Sequence, residues 1–262
     1  MDLFRKIFYP IESTVYFILL VLAITTVAGS THYWDATQAT TIIIAAATGM
    51  VGIWCPPLVE KLFKLKFSHL IDIIIAVDLF AAVVLGEACT FYYRFQGMDK
   101  FFHFFATAEL ALGGYVVAKY ILAKTNKGTH QVALALVFGF FFAVAFEAAW
   151  EVYEFAYDTL AGTNMQKYIP PEYYELLDED GNLTLSMEEI ANFYRTFEGY
   201  HYALDDTMYD ILADVGGGLF GCLSCVVVFH FYPQLQDKII YRPVENEVLY
   251  GEEEKTADRK NN

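Results

Sequence analysis

The chain has 262 residues, of which 56% are hydrophobic and 19% are charged, and its mean hydropathy is +0.35. This composition is too apolar for an ordinary soluble domain of that length, so lipid is the expected solvent. The formal net charge is -15 at pH 7, and the acidic residues concentrate in a few loops and tails. Such a charge repels nucleic acid, which argues against nucleic-acid binding.

Six apolar runs follow one another along the chain, and each is near the length that crosses a bilayer. The second run gives the weakest signal, because it is short and is followed by Pro56 and Pro57. The sequence therefore predicts an all-α membrane bundle of about six transmembrane helices. These helices are predicted at 14–29, 39–54, 70–90, 101–122, 132–150 and 208–232.

Basic residues predict the orientation of the bundle, because Lys and Arg are retained on the cytoplasmic side of a membrane. Arg5 and Lys6 precede the first span, and further Lys or Arg residues lie between the second and third spans, between the fourth and fifth spans and in the tail after the sixth. Both termini are therefore predicted to be cytoplasmic. The predicted organisation is spans one to five in 1–154, an acidic outer loop in 155–205, the sixth span in 206–232 and a charged cytoplasmic tail in 233–262.

Ionisable residues collect where the later spans reach the predicted outer side. Residues four positions apart lie on one face of a helix, and this spacing recurs in three spans. In a membrane such groups must face the bundle interior, pair, contact water or bind a cation. We therefore predict that they converge on one outward-facing pocket, formed by Asp99, His103, Glu147, Glu151, Asp206, Asp210 and Asp214.

Like-charged acids on one helix face repel each other, and two kinds of neutraliser are available. A divalent metal would indicate chemistry or a structural metal, whereas protons on the carboxyl groups would indicate a proton relay. The simplest alternative is a hydrogen-bonded seam that only fixes helix register, or helix-end acids in the headgroup layer. The predicted metal ligands are His103, Glu147, Glu151, Asp206 and Asp210.

The order of these residues resembles a known family. Asp99-Lys100-Phe101-Phe102-His103, a later Glu147 and the final acids with Gly216 to Gly218 are similar to the YjdF-like family of bacterial membrane proteins. A more distant similarity is to VanZ-like proteins. The resemblance covers Asp99 to about Gly221. It implies a multi-pass protein of the bacterial cell membrane with an envelope-related role, and it implies no particular reaction.

The predicted outer loop contains a segment, 178–189, that fits the register of an EF-hand calcium loop. Leu183 departs from this pattern, because the sharp turn there normally requires a glycine with positive φ. We therefore expect a small, helical EF-hand-like element of weak affinity that braces the loop, with an acidic solvated turn as the alternative. The predicted calcium ligands are Asp178, Asp180, Asn182, Thr184, Ser186 and Glu189.

The favoured hypothesis is a metal-assisted hydrolase that acts on an envelope lipid or a lipid-linked molecule. His103 with two or three of Glu147, Glu151, Asp206, Asp210 and Asp214 would hold the metal, and one remaining carboxylate would act as general base on a bound water. The alternatives are a proton- or cation-coupled transporter and a non-catalytic envelope protein. The absence of an inverted repeat and the expected clustering of polar groups at one end argue against transport. The sequence does not indicate an oligomeric state.

Replacing Glu189 with Gln tests the predicted calcium loop. The substitution removes the bidentate carboxylate at the last loop position, so calcium binding measured by isothermal titration should weaken. If the unaltered protein binds no calcium at millimolar concentration, Leu183 has abolished the site and the element is vestigial.

Overall fold

The computed structural model describes residues 3–30, 34, 36–63, 67, 69–95, 97–125, 131–161, 163, 165–166 and 197–232. All regular structure within these residues is helical. The predicted calcium loop, 178–189, and the predicted tail, 233–262, lie outside them. The helices are α1 (Leu3–Val27), α2 (Ala36–Gly52), α3 (Cys55–Phe63), α4 (His69–Phe80) continuing as a π-helical segment (Ala81–Ala88), α5 (Phe91–Arg94), α6 (Met98–Thr125), α7 (Gln131–Ala161) and α8 (Phe197–Phe231).

Six stretches of the described chain are helical, long and apolar enough to cross a membrane, which confirms the predicted fold class. They are Leu3–Val27, Gln38–Phe63, His69–Ala88, Met98–Lys119, Gln131–Ala161 and His201–Phe231.

The helices near the acids are longer than the apolar runs that predicted them. Helix α7 continues to Ala161, whereas its apolar run ends at 150. A run ends at the first charged residues, but the helix continues because its acids lie on the same buried face as its small residues. That face carries Ala135, Gly139, Ala143, Glu147, Glu151, Glu154 and Asp158.

The second span is broken where the prolines predict. Helix α2 ends at Gly52, a turn follows, and α3 begins at Cys55. Pro56 and Pro57 therefore occupy the first turn of a new helix, where a missing backbone N–H breaks no intrahelical hydrogen bond. The span continues through this turn to Phe63.

A buried ion-pair network ties α1, α3 and α4 together at the end of the bundle opposite the acids. Arg5 is 7% exposed; its guanidinium donates to Asp72 at 2.7 and 2.8 Å and to Glu60 at 2.5 and 2.8 Å. The hydroxyl of Tyr9 also donates to Asp72, at 2.9 Å. Breaking a buried pair by removing one partner typically costs about 3–5 kcal/mol. Arg5 therefore links α1 to α3 and α4. The prediction of membrane orientation used the charge of Arg5 but did not include this role.

Helix α6 lies between α7 and α8 and packs extensively against both. The backbones approach closely because glycines face them. A Cβ added to Gly217 would collide with the carbonyl oxygen of Phe104, and one added to Gly139 would lie 2.5 Å from the carbonyl oxygen of Ala111. Small residues at such crossings are the usual means of close helix packing in membranes. This packing brings the polar faces of the three helices together.

Gly217→Ala should destabilise the bundle, because the new methyl group meets backbone that cannot move aside. Overpacking of this kind costs roughly 1–3 kcal/mol, so the thermal unfolding midpoint in detergent should fall. Gly113→Ala is the matched control in α6, since a Cβ there meets nothing within 4 Å. Equal midpoints for the two variants would contradict the close α6–α8 contact.

Candidate functional site

The structure brings the seven predicted site residues together between α6, α7 and α8. The five innermost members, His103, Glu147, Glu151, Asp210 and Asp214, are each at most 6% exposed. Asp99 and Asp206 are half-buried. The structure thus places these side chains in one cluster, while their roles as metal ligands or catalytic groups stay a prediction.

Lys100 neutralises part of this cluster. Its ammonium donates to Asp99 at 3.0 Å and to Asp210 at 2.8 Å, and it also contacts Asp206. An ammonium group has three N–H donors, so these three carboxylates use all of them. The predicted site did not include Lys100, although the Asp99-Lys100 pair at the start of the fourth span was a signal for it.

The imidazole of His103 lies at the centre of the cluster. Its Nδ1 is 3.3 Å from Asp214, 3.8 Å from Glu151 and 3.9 Å from Glu147. On the other side of the ring, Nε2 is 3.8 Å from Asp210. Only the contact with Asp214 approaches hydrogen-bond length. The remaining carboxylates therefore surround the ring without bonding to it directly.

Thr107 extends the polar face of α6 by one more turn. Its hydroxyl lies 2.6 Å from the carbonyl oxygen of His103 and 2.8 Å from Asp214. Thr107 thereby helps to hold the Asp214 carboxylate beside the imidazole. It was not among the predicted residues, although it continues the spacing of four residues from Asp99 and His103.

Several carboxylate oxygens of the cluster are buried and make no hydrogen bond within the described structure. They include Asp210 Oδ1, Asp214 Oδ2 and both oxygens of Glu151. Unpaired buried oxygens of this kind are costly, and each calls for a cation, a proton or a water molecule. The geometry suits a cation. The described residues contain two overlapping groups whose ligand atoms lie within 4.8 Å of one another, namely Asp99-His103-Asp210 and His103-Glu147-Asp214.

Acidic residues also continue from this cluster toward the interior of the bundle. Asp78 of α4 interacts electrostatically with His103 and with Glu109 of α6. Further along, the buried Glu12 of α1 accepts a hydrogen bond from Tyr16. This differs from the expectation that polar groups stay at one end of the bundle. Glu12 precedes the predicted first span, and Glu109 is a single acid within the fourth, so neither shows the four-residue spacing that predicted the cluster.

Comparison with protein families matches residues 13–230 to the family described as "Predicted membrane protein (DUF2238)". The chain belongs to this family. DUF2238 is the YjdF-like family that the order of the acids predicted, whereas a relationship to VanZ-like proteins is not shown. No curated protein and no solved structure matches the chain.

The DUF2238 match extends from α1 to near the end of α8, so it contains the whole cluster. Membership supports a multi-pass membrane protein with six apolar helices. The family description assigns no activity, so the cluster is the feature of this DUF2238 protein that indicates its chemistry.

Proposed function

We propose that the cluster binds a divalent cation and that the bound cation assists hydrolysis of an envelope lipid or a lipid-linked molecule. One observation carries the proposal. His103, Glu147 and Asp214 are all buried, and each offers a ligand atom within 4.8 Å of the others. One imidazole with carboxylate oxygens is a ligand set that suits divalent metals such as Zn²⁺ and Mn²⁺.

The charge balance of the cluster favours a bound cation over a purely structural seam. Among the residues that the structure describes, six carboxylates face one ammonium and one imidazole, so negative groups are in excess there even if His103 is protonated. Burial makes this excess costly. A divalent ion supplies two positive charges and ligand bonds to the unpaired oxygens. A structural seam would instead be expected to satisfy its polar atoms internally.

Each side chain has a distinct part in the proposed hydrolysis. A metal held by His103, Glu147 and Asp214 would supply Lewis acidity toward a carbonyl or phosphoryl oxygen of the substrate and would make a bound water more acidic. Glu151 would act as general base, since its oxygens make no hydrogen bond within the described residues and lie beside the ligand group. Lys100 is a positioning residue, since its N–H groups are used by Asp99, Asp206 and Asp210.

A second candidate function is proton- or cation-coupled transport. It is favoured by the acids that continue from the cluster into the bundle, because ionisable residues within spans commonly mark ion paths. Asp78 interacts electrostatically with both His103 and Glu109, and Glu12 is buried within α1. Glu109→Gln separates the two functions: it should leave hydrolysis and metal content unchanged, whereas it should abolish coupled transport.

Metal analysis of the purified protein tests the proposal. After removal of adventitious metal and reloading with Zn²⁺ or Mn²⁺, the unaltered protein should retain about one ion per chain. His103→Gln and Asp214→Asn should each lose most of it, because each removes one ligand. Asp205→Asn is the matched control in α8, since Asp205 is exposed and contacts His201 outside the cluster.

Gel filtration should show that all three variants remain folded, so that loss of metal is not loss of protein. Two results would contradict the proposal. One is an unaltered protein that retains no divalent ion. The other is an ion that stays in His103→Gln and Asp214→Asn as firmly as in the control.

A further inference from the structure

A cleft of about 520 Å³ lies between α7 and α8, beside the cluster. This volume is within the usual range of small-molecule sites, about 300–1,000 Å³. Most of its walls are apolar and come from both helices. They are formed by Ala148, Val152 and Phe155 of α7 and by Ala203, Leu204 and Ile211 of α8.

The polar groups of the cleft gather around one acid. Both oxygens of Glu151 are buried without a hydrogen bond of normal length, although the hydroxyl of Thr207 faces them. Thr207 in turn accepts a hydrogen bond of 2.9 Å from the side chain of Gln166. Glu151 also lies 3.8 Å from His103. The acid therefore belongs to the cleft and to the cluster at once.

Gln166 is held at the cleft by the turn that follows α7. The buried carboxylate of Asp158 accepts hydrogen bonds from the backbone N–H groups of Met165 and Gln166, both at 2.8 Å, and from the hydroxyl of Thr163 at 2.7 Å. Asp158 is 2% exposed. The polar end of the cleft is therefore built by specific contacts and is not a chance gap between two helices.

The chemistry of a ligand follows from this arrangement. Val152 is 67% exposed and Leu204 is 57% exposed, so in a membrane the walls of the cleft are open to lipid chains. Glu151 needs a hydrogen-bond donor. The surrounding excess of carboxylates disfavours an anionic group, because like charges that face each other repel.

We propose that the cleft binds the alkyl chain of an amphiphile whose hydroxyl or ammonium head donates a hydrogen bond to Glu151. This inference rests on the proposed function, and it names the substrate class of that site: a chain-bearing molecule with a donor head and no negative charge beside Glu151. The head group then lies next to the ligand group of His103. A hydroxyl head and an ammonium head both donate a hydrogen bond, and the photolabelling experiment distinguishes between them.

Photolabelling of the full chain in lipid nanodiscs tests the cleft. Three probes share a sixteen-carbon chain with a diazirine at mid-chain and differ only in the head: an alcohol, an amine or a carboxylate. At least one donor head should label the peptides that contain 148–155 and 203–211 roughly tenfold more than the carboxylate does. Preference between the alcohol and the amine identifies the head group.

Ala148→Phe should reduce this labelling to background, because the ring fills the cleft. Ala149→Phe is the matched control: both alanines are exposed on α7, but only Ala148 lines the cleft. Glu151→Gln should remove most of the discrimination against the carboxylate probe, which a merely structural role of Glu151 would leave intact.

Metal analysis of the same samples separates the two proposals. Equal labelling by all three probes, or equal labelling of Ala148→Phe and Ala149→Phe, would contradict the proposed ligand site in the cleft. If the same samples bind metal normally, the proposed cation site is unaffected by that result. Selective labelling that Ala148→Phe abolishes would support the proposed ligand site in the cleft. If the unaltered protein shows this labelling but holds no metal, only the proposed metal-assisted hydrolysis is contradicted.

Discussion

The close approach of α6 to its two neighbours is the constraint on which the candidate site depends. Gly217 allows the backbone of α8 to touch α6, and Gly139 does the same for α7. Without these contacts the helices would stand further apart, and His103 could not lie 3.3 Å from Asp214. Lipid provides no hydrophobic force that would press helices together, so close packing and interhelical polar bonds must do so. In this bundle the glycines permit the packing and the cluster supplies the polar bonds.

The cluster combines strong internal bonds with atoms that have none. Lys100 and Thr107 fix several carboxylates in place, yet Asp210 and Asp214 each keep a buried oxygen without a hydrogen bond in the described structure. The Arg5 network at the opposite end differs, because both carboxylates that face Arg5 bond to it through both oxygens. The Arg5 network thus satisfies the oxygens that face it, whereas the cluster leaves buried oxygens that the proposed cation would bind.

Helical periodicity and hydropathy were sufficient to predict the number of spans and the residues of the cluster. The spacing of Asp99 and His103, repeated in two later spans, placed the right side chains on facing surfaces, and the apolar runs gave the number of spans. The extension of α7 was not predictable in this way, because a buried acid and a helix-end acid look alike in sequence. Thr107 continues the four-residue spacing of Asp99 and His103, and Asp78 is a single acid within an apolar span, but only their contacts with other helices show what each one does. The calcium loop, 178–189, lies outside the described residues and stays a prediction.

The central claim is that His103 is the one nitrogen ligand of a buried divalent cation. Pulsed electron paramagnetic resonance of the protein loaded with Mn²⁺ measures this directly, because a coordinated imidazole nitrogen couples to the unpaired electrons of the metal. We expect coupling to a single ¹⁴N nucleus that disappears in His103→Gln and persists in a variant of the exposed His201. A bound Mn²⁺ without nitrogen coupling, or a coupling that survives in His103→Gln, would contradict the account.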